Sequence, residues 1–162
     1  MTTEPATLIT SRSEFHTALR EALAEAAQLG SPEIWLCDND FGDWPLGERA
    51  VIANFEQWAL SRRKLVLVAR HFDEVVRRHP RWVEWRRTWS HIVSCRANTE
   101  IETGGFPCIL LATDRVSVHL SNPEHYRGRM SHDKADEIRC KELIDAVLQR
   151  SEETFPATTT GL

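Results

Sequence analysis

The stretch Pro107-Cys-Ile-Leu-Leu-Ala-Thr-Asp-Arg-Val-Ser-Val-His-Leu120 does most to decide the fold. It holds two short apolar runs on either side of the pair Asp114-Arg115, and a polar pair between two such runs is typical of a β-hairpin. The second run alternates apolar with polar residues, which places His119 on the opposite side of its strand from its apolar neighbours. The sequence therefore predicts an antiparallel hairpin at this point.

Three further apolar runs precede the hairpin, and helical patterns separate them. Along the chain, the sequence predicts a helix opened by Ser13 and stopped at Gly30, a strand at Glu33–Cys37, a helix at Leu46–Leu60, a strand at Leu65–Ala69, a helical region at Phe72–Trp89 interrupted at Pro80, a strand at His91–Arg96, the hairpin, and a closing helix at His132–Arg150. Short apolar strands that alternate with helices indicate an α/β fold. We expect a mixed, mostly parallel sheet with helices on both faces, to which the hairpin adds an antiparallel element.

Length and composition fit a single domain. The chain has 162 residues, of which 41% are hydrophobic and 27% charged, as in ordinary globular proteins. We expect one domain over residues 8–155, with flexible polar tails at 1–7 and 156–162. No apolar run approaches the roughly 20 residues that span a bilayer, and the first residues lack the pattern of a secretory signal. A cytoplasmic location is the default expectation.

The sequence predicts neither a cofactor nor a metal site. It lacks a glycine-rich phosphate loop followed by lysine, and it lacks a C-x-x-C pair. Reduced and mostly buried thiols are the favoured interpretation of the four cysteines, with a disulfide or a zinc site as the alternative. These cysteines are Cys37, Cys95, Cys108 and Cys140.

The hairpin and the closing helix resemble the C-terminal segment of one half of a phospholipase D superfamily domain. That segment carries the motif H-x-K-x4-D-x6-G-S-x-x-N in the family, and Ile109-Leu-Leu-Ala-Thr-Asp114 is similar to its strand and aspartate. The Asp-Trp loop from Asp38 to Leu46 is similar to one in bacterial phospholipase D-like domains of unknown function. The resemblance implies a phospholipase D- or nuclease-like half-domain and, because two halves meet in that family, a homodimer.

The residues that the family's chemistry requires are missing. With Asp114 as the anchor, the lysine position of the motif is Ile109 and the histidine position is Pro107. The only H-x-K sequence, His132 to Lys134, has an arginine where the motif requires aspartate. Because phosphoryl transfer in the family needs a histidine nucleophile and a lysine, the resemblance implies a pseudoenzyme that serves as a binding or scaffold module.

Polar residues near the strand ends are candidates for a vestigial pocket, since ligands in open α/β sheets collect beyond the carboxyl ends of strands. These candidates are Asp38, Asp40, His71, Asp114, His119, Ser121, Asn122 and His125. One alternative is a hydrolase or phosphodiesterase-type enzyme with a rebuilt site at Asp38, His71, Asp114 and His119. Another is a zinc or acid–base cluster of Asp38, His71, His119 and His125. The ordinary interpretation is that the aspartates form turns and caps while the histidines make common hydrogen bonds.

Charge is distributed unevenly along the chain. The net charge is −4, yet residues 62–96 hold ten lysines and arginines against three acids. Such a segment can attract an anionic ligand or dock an acidic protein, and the alternative is that its charges are solvated or balanced by neighbours. The anion-binding candidates are Arg77, Arg78, Arg86 and Arg87.

Overall fold

The computed structural model describes residues 5–61, 63–102 and 104–155. They form an α/β fold in which helices cover both faces of one eight-stranded sheet. The elements are β1 (Thr7–Ile9), α1 (Arg12–Leu29), β2 (Glu33–Cys37), α2 (Arg49–Trp58), β3 (Lys64–Ala69), α3 (Asp73–Arg78), α4 (Pro80–Thr88), β4 (Val93–Ala97), β5 (Cys108–Ala112), β6 (Val116–Asn122), a 3₁₀ turn (Pro123–His125), β7 (Arg127–Ser131), α5 (Lys134–Leu148) and β8 (Glu152–Glu153).

The strand order is β1-β7-β6-β5-β2-β3-β4-β8. Among the described strands only the pairs β2–β3 and β3–β4 are parallel, and the other five pairs are antiparallel. The prediction of a mostly parallel sheet is therefore wrong. The physical reason is that β5 pairs antiparallel with β2, and that every strand added outside this central group also joins antiparallel.

The predicted hairpin is confirmed, since β5 and β6 pair antiparallel with Ala112 opposite Val116. Asp114 lies in the turn with φ of 67°, a left-handed conformation that aspartate tolerates better than most residues. The adjacent Thr113 N–H donates to the Glu33 carbonyl at 3.0 Å. That bond joins the hairpin turn to the start of β2.

The sheet separates two apolar clusters. On one face, residues of α1 to α4 such as Leu19, Phe55 and Trp82 pack against the sheet. On the other face α5 is the one described helix that packs against the sheet, through residues that include Ile144 and Val147. Because α5 covers only part of its face, the part of the sheet that β6, β7 and β1 form is accessible beside that helix.

The helices follow the predicted pattern closely. Pro80 occupies the first turn of α4 and separates it from α3, where proline's missing N–H costs no helical hydrogen bond. Ser11 caps α1 by accepting from the Glu14 N–H at 3.2 Å. In the described part of the chain, no helix combines the length and the apolar character needed to cross a membrane.

The four cysteines are buried free thiols, as the favoured interpretation predicted. The predicted tails at 156–162 and 1–4 lie outside the described residues, and β1 begins at Thr7 within the segment predicted as the N-terminal tail. The proposed domain boundaries thus remain a prediction.

Candidate anion-binding cleft

The sheet topology separates the residues predicted to share a pocket. Strand β6 runs in the same direction as β2, with β5 between them. The residues that follow β2, β3 and β6 therefore lie at the same end of the strands. Asp38 and His71 follow β2 and β3 at that end, and Ser121 lies near the end of β6. Asp114 lies in the hairpin turn at the opposite end of the strands, where it is exposed and pairs with Lys134 at 3.1 Å.

The two aspartates after β2 form turns, as their ordinary interpretation predicted. Asp38 accepts a hydrogen bond from the Phe41 N–H at 2.9 Å, and Asp40 accepts one from the Gly42 N–H at 2.8 Å. Burial raises the pKa of Asp38, against the lowering effect of its hydrogen bonds from Phe41 and the Cys108 thiol. Cys108 belongs to the cluster under α1 to α4, so Asp38 turns toward that face of the sheet.

His119 projects toward the face covered by α5, opposite the face to which Asp38 turns. The structure therefore does not bring together Asp38, Asp114 and His119 as the rebuilt catalytic site requires. Nor do three histidine, cysteine or acidic side chains within residues 5–61, 63–102 and 104–155 come close enough to share a metal ion.

Of the other predicted pocket residues, Asn122 and His125 interact mainly with each other. The Asn122 side chain caps the 3₁₀ turn by accepting from the His125 N–H at 3.3 Å, and it lies 3.2 Å from the His125 ring. The His71 ring lies 4.0 Å from the Asp73 carboxylate. Ser121 alone joins His119, at the cleft described below.

The described cations of the basic segment 62–96 have partners within the chain, and Arg62 lies outside the described residues. Exposed Arg77 and Arg78 pair with Glu74, and Arg87 pairs with Glu84 at 3.1 Å. An anion would have to compete with these carboxylates. The remaining cations have the following partners: Arg63 donates to the Trp58 carbonyl, Arg70 to that of Ile101, Arg81 to that of Gly47 and Arg96 to Ser151, while Lys64 lies over the Trp35 ring.

Arg86 is a correction to the predicted anion-binding set. It is only 5% exposed, because its side chain passes between α4 and β4. Its Nε donates to the Cys95 sulfur at 3.3 Å, and its guanidinium lies 5.2 Å from the centre of the Phe155 ring. A buried guanidinium cannot reach an external anion.

A cleft of about 540 Å³ lies where α5 leaves its face of the sheet uncovered, and we call it the α5 cleft. Strands β6 and β7 form its floor, α5 forms one wall, and β1 forms the other. The residues that decide its chemistry are Leu8, Ser117, His119, Ser121, Arg127, Arg129, Ser131, Asp136 and Arg139.

The α5 cleft has an excess of positive charge, because three arginines face one aspartate. Asp136 is already occupied: it accepts from the Ser131 hydroxyl at 2.6 Å and pairs with Arg129. These contacts lower the pKa of Asp136, the Ser131 bond contributing most, so the carboxylate stays ionised and neutralises Arg129. Arg127 and Arg139 are exposed, and neither has a carboxylate within ion-pair distance in the described part of the chain.

His119 lies between these charges on the floor of the cleft. Burial lowers its pKa, and the neighbouring Arg139 and Arg129 lower it further, while Asp136 acts in the opposite direction. The imidazole is therefore neutral at neutral pH, with one nitrogen able to donate and the other to accept. The cleft can thus offer guanidinium, hydroxyl and imidazole donors to a single anion.

The sequence predictions found His119 and Ser121 of the cleft but missed its arginines. Arg127 and Arg129 lie on β7, which carries no apolar run, and Arg139 lies on the exposed side of α5. The alternation in Arg127-Gly-Arg-Met-Ser131 was the one signal for a strand at this position.

A second hollow, of about 670 Å³, is also lined by four arginines, of which three are paired with carboxylates and Arg81 donates to the Gly47 carbonyl. Arg20 binds Glu48 through two hydrogen bonds of 2.7 and 2.8 Å, and Arg12 binds Asp43 at 2.7 Å. These pairs join α1 to the loop before α2. The hollow is accordingly a weaker candidate than the α5 cleft.

The chain is similar to known proteins in its fold. No protein-family model and no curated protein sequence matches the chain. Among solved structures, the chain is similar to TrmBL2, an archaeal chromatin protein whose structure is described as showing a novel mode of DNA binding. The TM-score is 0.63 at 13% sequence identity, over 93% of this chain and 54% of TrmBL2. This likeness concerns the fold, and the chain spans about half the length of that protein.

The resemblance to the phospholipase D superfamily is wrong. No family model supports it, TrmBL2, a solved structure to which the chain is similar, is a DNA-binding chromatin protein, and the sheet is mostly antiparallel. The physical reason is that a strand, a turn and a second strand recur in many α/β folds, and only Asp114 matched the motif. The expected homodimer and the expected pseudoenzyme relied on that family and lose their basis with it.

Proposed function

We propose that this chain is a binding module that holds a phosphate-bearing ligand in the α5 cleft. The observation that carries the proposal is the pair Arg127 and Arg139, two exposed guanidinium groups at one cleft without an ion-pair partner among the described residues. Guanidinium groups bind phosphate through two parallel hydrogen bonds, and nearby hydroxyls supply further donors. Ser121 lies at the same cleft and is exposed.

The likeness to TrmBL2 supports a binding role, because that protein is described as binding DNA, whose backbone is a phosphate polyanion. A catalytic role has less support, since the residues of the rebuilt site lie on different faces of the sheet and at opposite ends of its strands. The ion pairs of Arg77 with Glu74 and of Arg87 with Glu84 also favour the α5 cleft as the place where an anion binds, because an anion at either arginine would compete with a carboxylate.

Charge reversal at the cleft tests this proposal. In the double variant Arg127→Glu, Arg139→Glu, we expect the affinity for inorganic pyrophosphate to fall about 30-fold, which is about 2 kcal/mol. Titration calorimetry with the full chain at low salt measures the change. The matched control is Arg77→Glu, Arg87→Glu, which makes the same change in net charge on another surface and should keep the affinity within about twofold.

Either of two results would contradict the proposal. One is a wild-type chain that binds no pyrophosphate; the other is a control variant that loses more affinity than the cleft variant, which would assign binding to the basic segment. A 20-base-pair DNA duplex, titrated in parallel at several salt concentrations, tells whether a nucleic acid is the source of the phosphate. DNA binding that the cleft variant weakens would make this module a nucleic-acid binder.

The affinity for an anion of fixed charge should depend on pH through His119. Because the pKa of His119 is lowered in the fold, its added positive charge appears only below the ordinary value of about 6.5. Asp136, whose pKa is lowered, stays ionised over this range, and we assign the change in charge at the cleft to the His119 imidazole. We expect sulfate affinity to be flat from pH 8 to 7 and to rise several-fold by pH 5.5.

Two variants isolate the responsible histidine in this titration. His119→Asn should give a flat profile at all these pH values, because the asparagine cannot take up a proton. His125→Asn, which changes an exposed ring in the 3₁₀ turn, should leave the rise intact. A rise that persists in His119→Asn would exclude the imidazole as its source.

A further inference from the structure

We infer that the α5 cleft takes a compact phosphomonoester with an apolar group attached, rather than a simple or an extended phosphate anion. This inference rests on the proposed function and adds the chemistry of the ligand's other end. It begins with Leu8, which is 72% exposed although it is a large aliphatic side chain, and which lines the cleft.

The strand register places Leu8 in a row with two polar cleft residues. Leu8 of β1 is paired with Arg129 of β7, and Arg129 is paired with His119 of β6. Directly paired residues point to the same face of a sheet, and neighbouring strands are about 4.8 Å apart. The row therefore runs over about 10 Å from an apolar end at Leu8, across a guanidinium, to a polar end at His119.

The polar end is the part nearest α5, where Arg139 and Arg129 act on His119. An anion bound at that end would place its substituent over the Arg129 guanidinium and against Leu8. A guanidinium paired with a carboxylate still offers a flat face on which a planar group can stack. Burial of Leu8 by such a group would remove the exposed aliphatic surface from water.

The size of the cleft agrees with a small ligand. About 540 Å³ lies within the range of about 300–1,000 Å³ that is usual for small-molecule sites. The walls, α5 on one side and β1 on the other, confine the ligand to the floor that β6 and β7 form between them. A nucleotide, a phosphorylated aromatic metabolite and a short lipid phosphate share this chemistry.

The test compares two probes that differ by one ring. Phenyl phosphate and inorganic phosphate are titrated into the full chain at pH 8, and chemical-shift changes are followed by NMR. We expect phenyl phosphate to bind about tenfold more tightly, with shifts concentrated on residues 117–131 and 136–140. Leu8→Thr, which keeps the β-strand propensity, should lower phenyl phosphate affinity about fivefold and change inorganic phosphate affinity less than twofold.

Leu60→Thr is the matched control, because Leu60 is 77% exposed and lies outside the cleft. It should change neither affinity, and the thermal midpoint of each variant shows that the fold persists. Equal binding of the two probes, or no effect of Leu8→Thr in a folded protein, would overturn the inference and leave the proposed function standing. A 20-base-pair duplex that binds more tightly than phenyl phosphate, with the same sensitivity to Arg139→Glu, would also overturn it. If neither phosphate binds, the proposed function itself fails.

Discussion

Replacement of Gly128 by alanine is expected to lower the free energy of unfolding by about 3 kcal/mol or more. A β-carbon at this position would lie 2.0 Å from the His119 carbonyl oxygen and 2.7 Å from the Leu120 α-carbon. Both are backbone atoms of the neighbouring strand, so no side-chain rotation can relieve the overlap. The pairing of β6 with β7 is irregular between His119 and Asn122, and this irregularity brings the two backbones together at Gly128.

The comparison variant is Gly47→Ala, whose added carbon would come no closer than 3.4 Å to a neighbouring atom, the Nδ1 of His79. It should cost less than about 1 kcal/mol. Urea unfolding followed by tryptophan fluorescence measures both values. Because β7 carries Arg127 and Arg129 and holds β1, Gly128→Ala should also abolish pyrophosphate binding, whereas Gly47→Ala should not. Equal stability of the two variants would show that the strands do not approach as closely as the structure places them.

The elements that the sequence predicts correctly are those with a strong apolar signature. Strands β2, β3 and β5 are buried along almost their whole length and appear in the sequence as continuous apolar runs. The division of α3 from α4 at Pro80 likewise follows from proline's local geometry. In each case a few neighbouring residues are sufficient to determine the structure, and no distant contact has to be known.

The strands at the sheet margins lack such a signature. Strand β7 is Arg127-Gly-Arg-Met-Ser131, mostly polar, while β1 and β8 have only three and two residues. The two short strands take their hydrogen bonds from partners far away in the chain, since β1 pairs with β7 and β8 pairs with β4, whereas β7 pairs with the neighbouring β6 as well as with β1. Tertiary context decides such strands, and propensity does not. Because these strands join antiparallel, missing them also made the sheet look mostly parallel.

The candidate site was only partly predictable for the same reason. His119 and Ser121 were found because they alternate with apolar residues in β6, a strand that the sequence shows clearly. The arginines of the cleft were missed because β7 was missed. The dense run of charge at 62–96 instead predicted an anion-binding site there, although most of those cations have partners within the chain. Charge density along a sequence does not indicate which cations remain unpaired after folding.

Arg86→Glu is expected to destabilise the protein by about 3–5 kcal/mol, the cost of burying a charge without a partner. The new carboxylate would face the Cys95 sulfur and the Phe155 ring, whose negatively polarised face attracts a guanidinium but repels an anion.

Arg86→Met, which fills similar space without charge, should cost less than about 1.5 kcal/mol. Arg87→Glu, one residue further on α4, loses only an exposed ion pair with Glu84 and should cost less than about 1 kcal/mol. Urea unfolding of the three variants separates these cases. If Arg86→Glu and Arg87→Glu have equal free energies of unfolding, then Arg86 is accessible to solvent and belongs again among the anion-binding candidates. If Arg86→Glu unfolds while Arg86→Met does not, the contribution of Arg86 to the protein is structural.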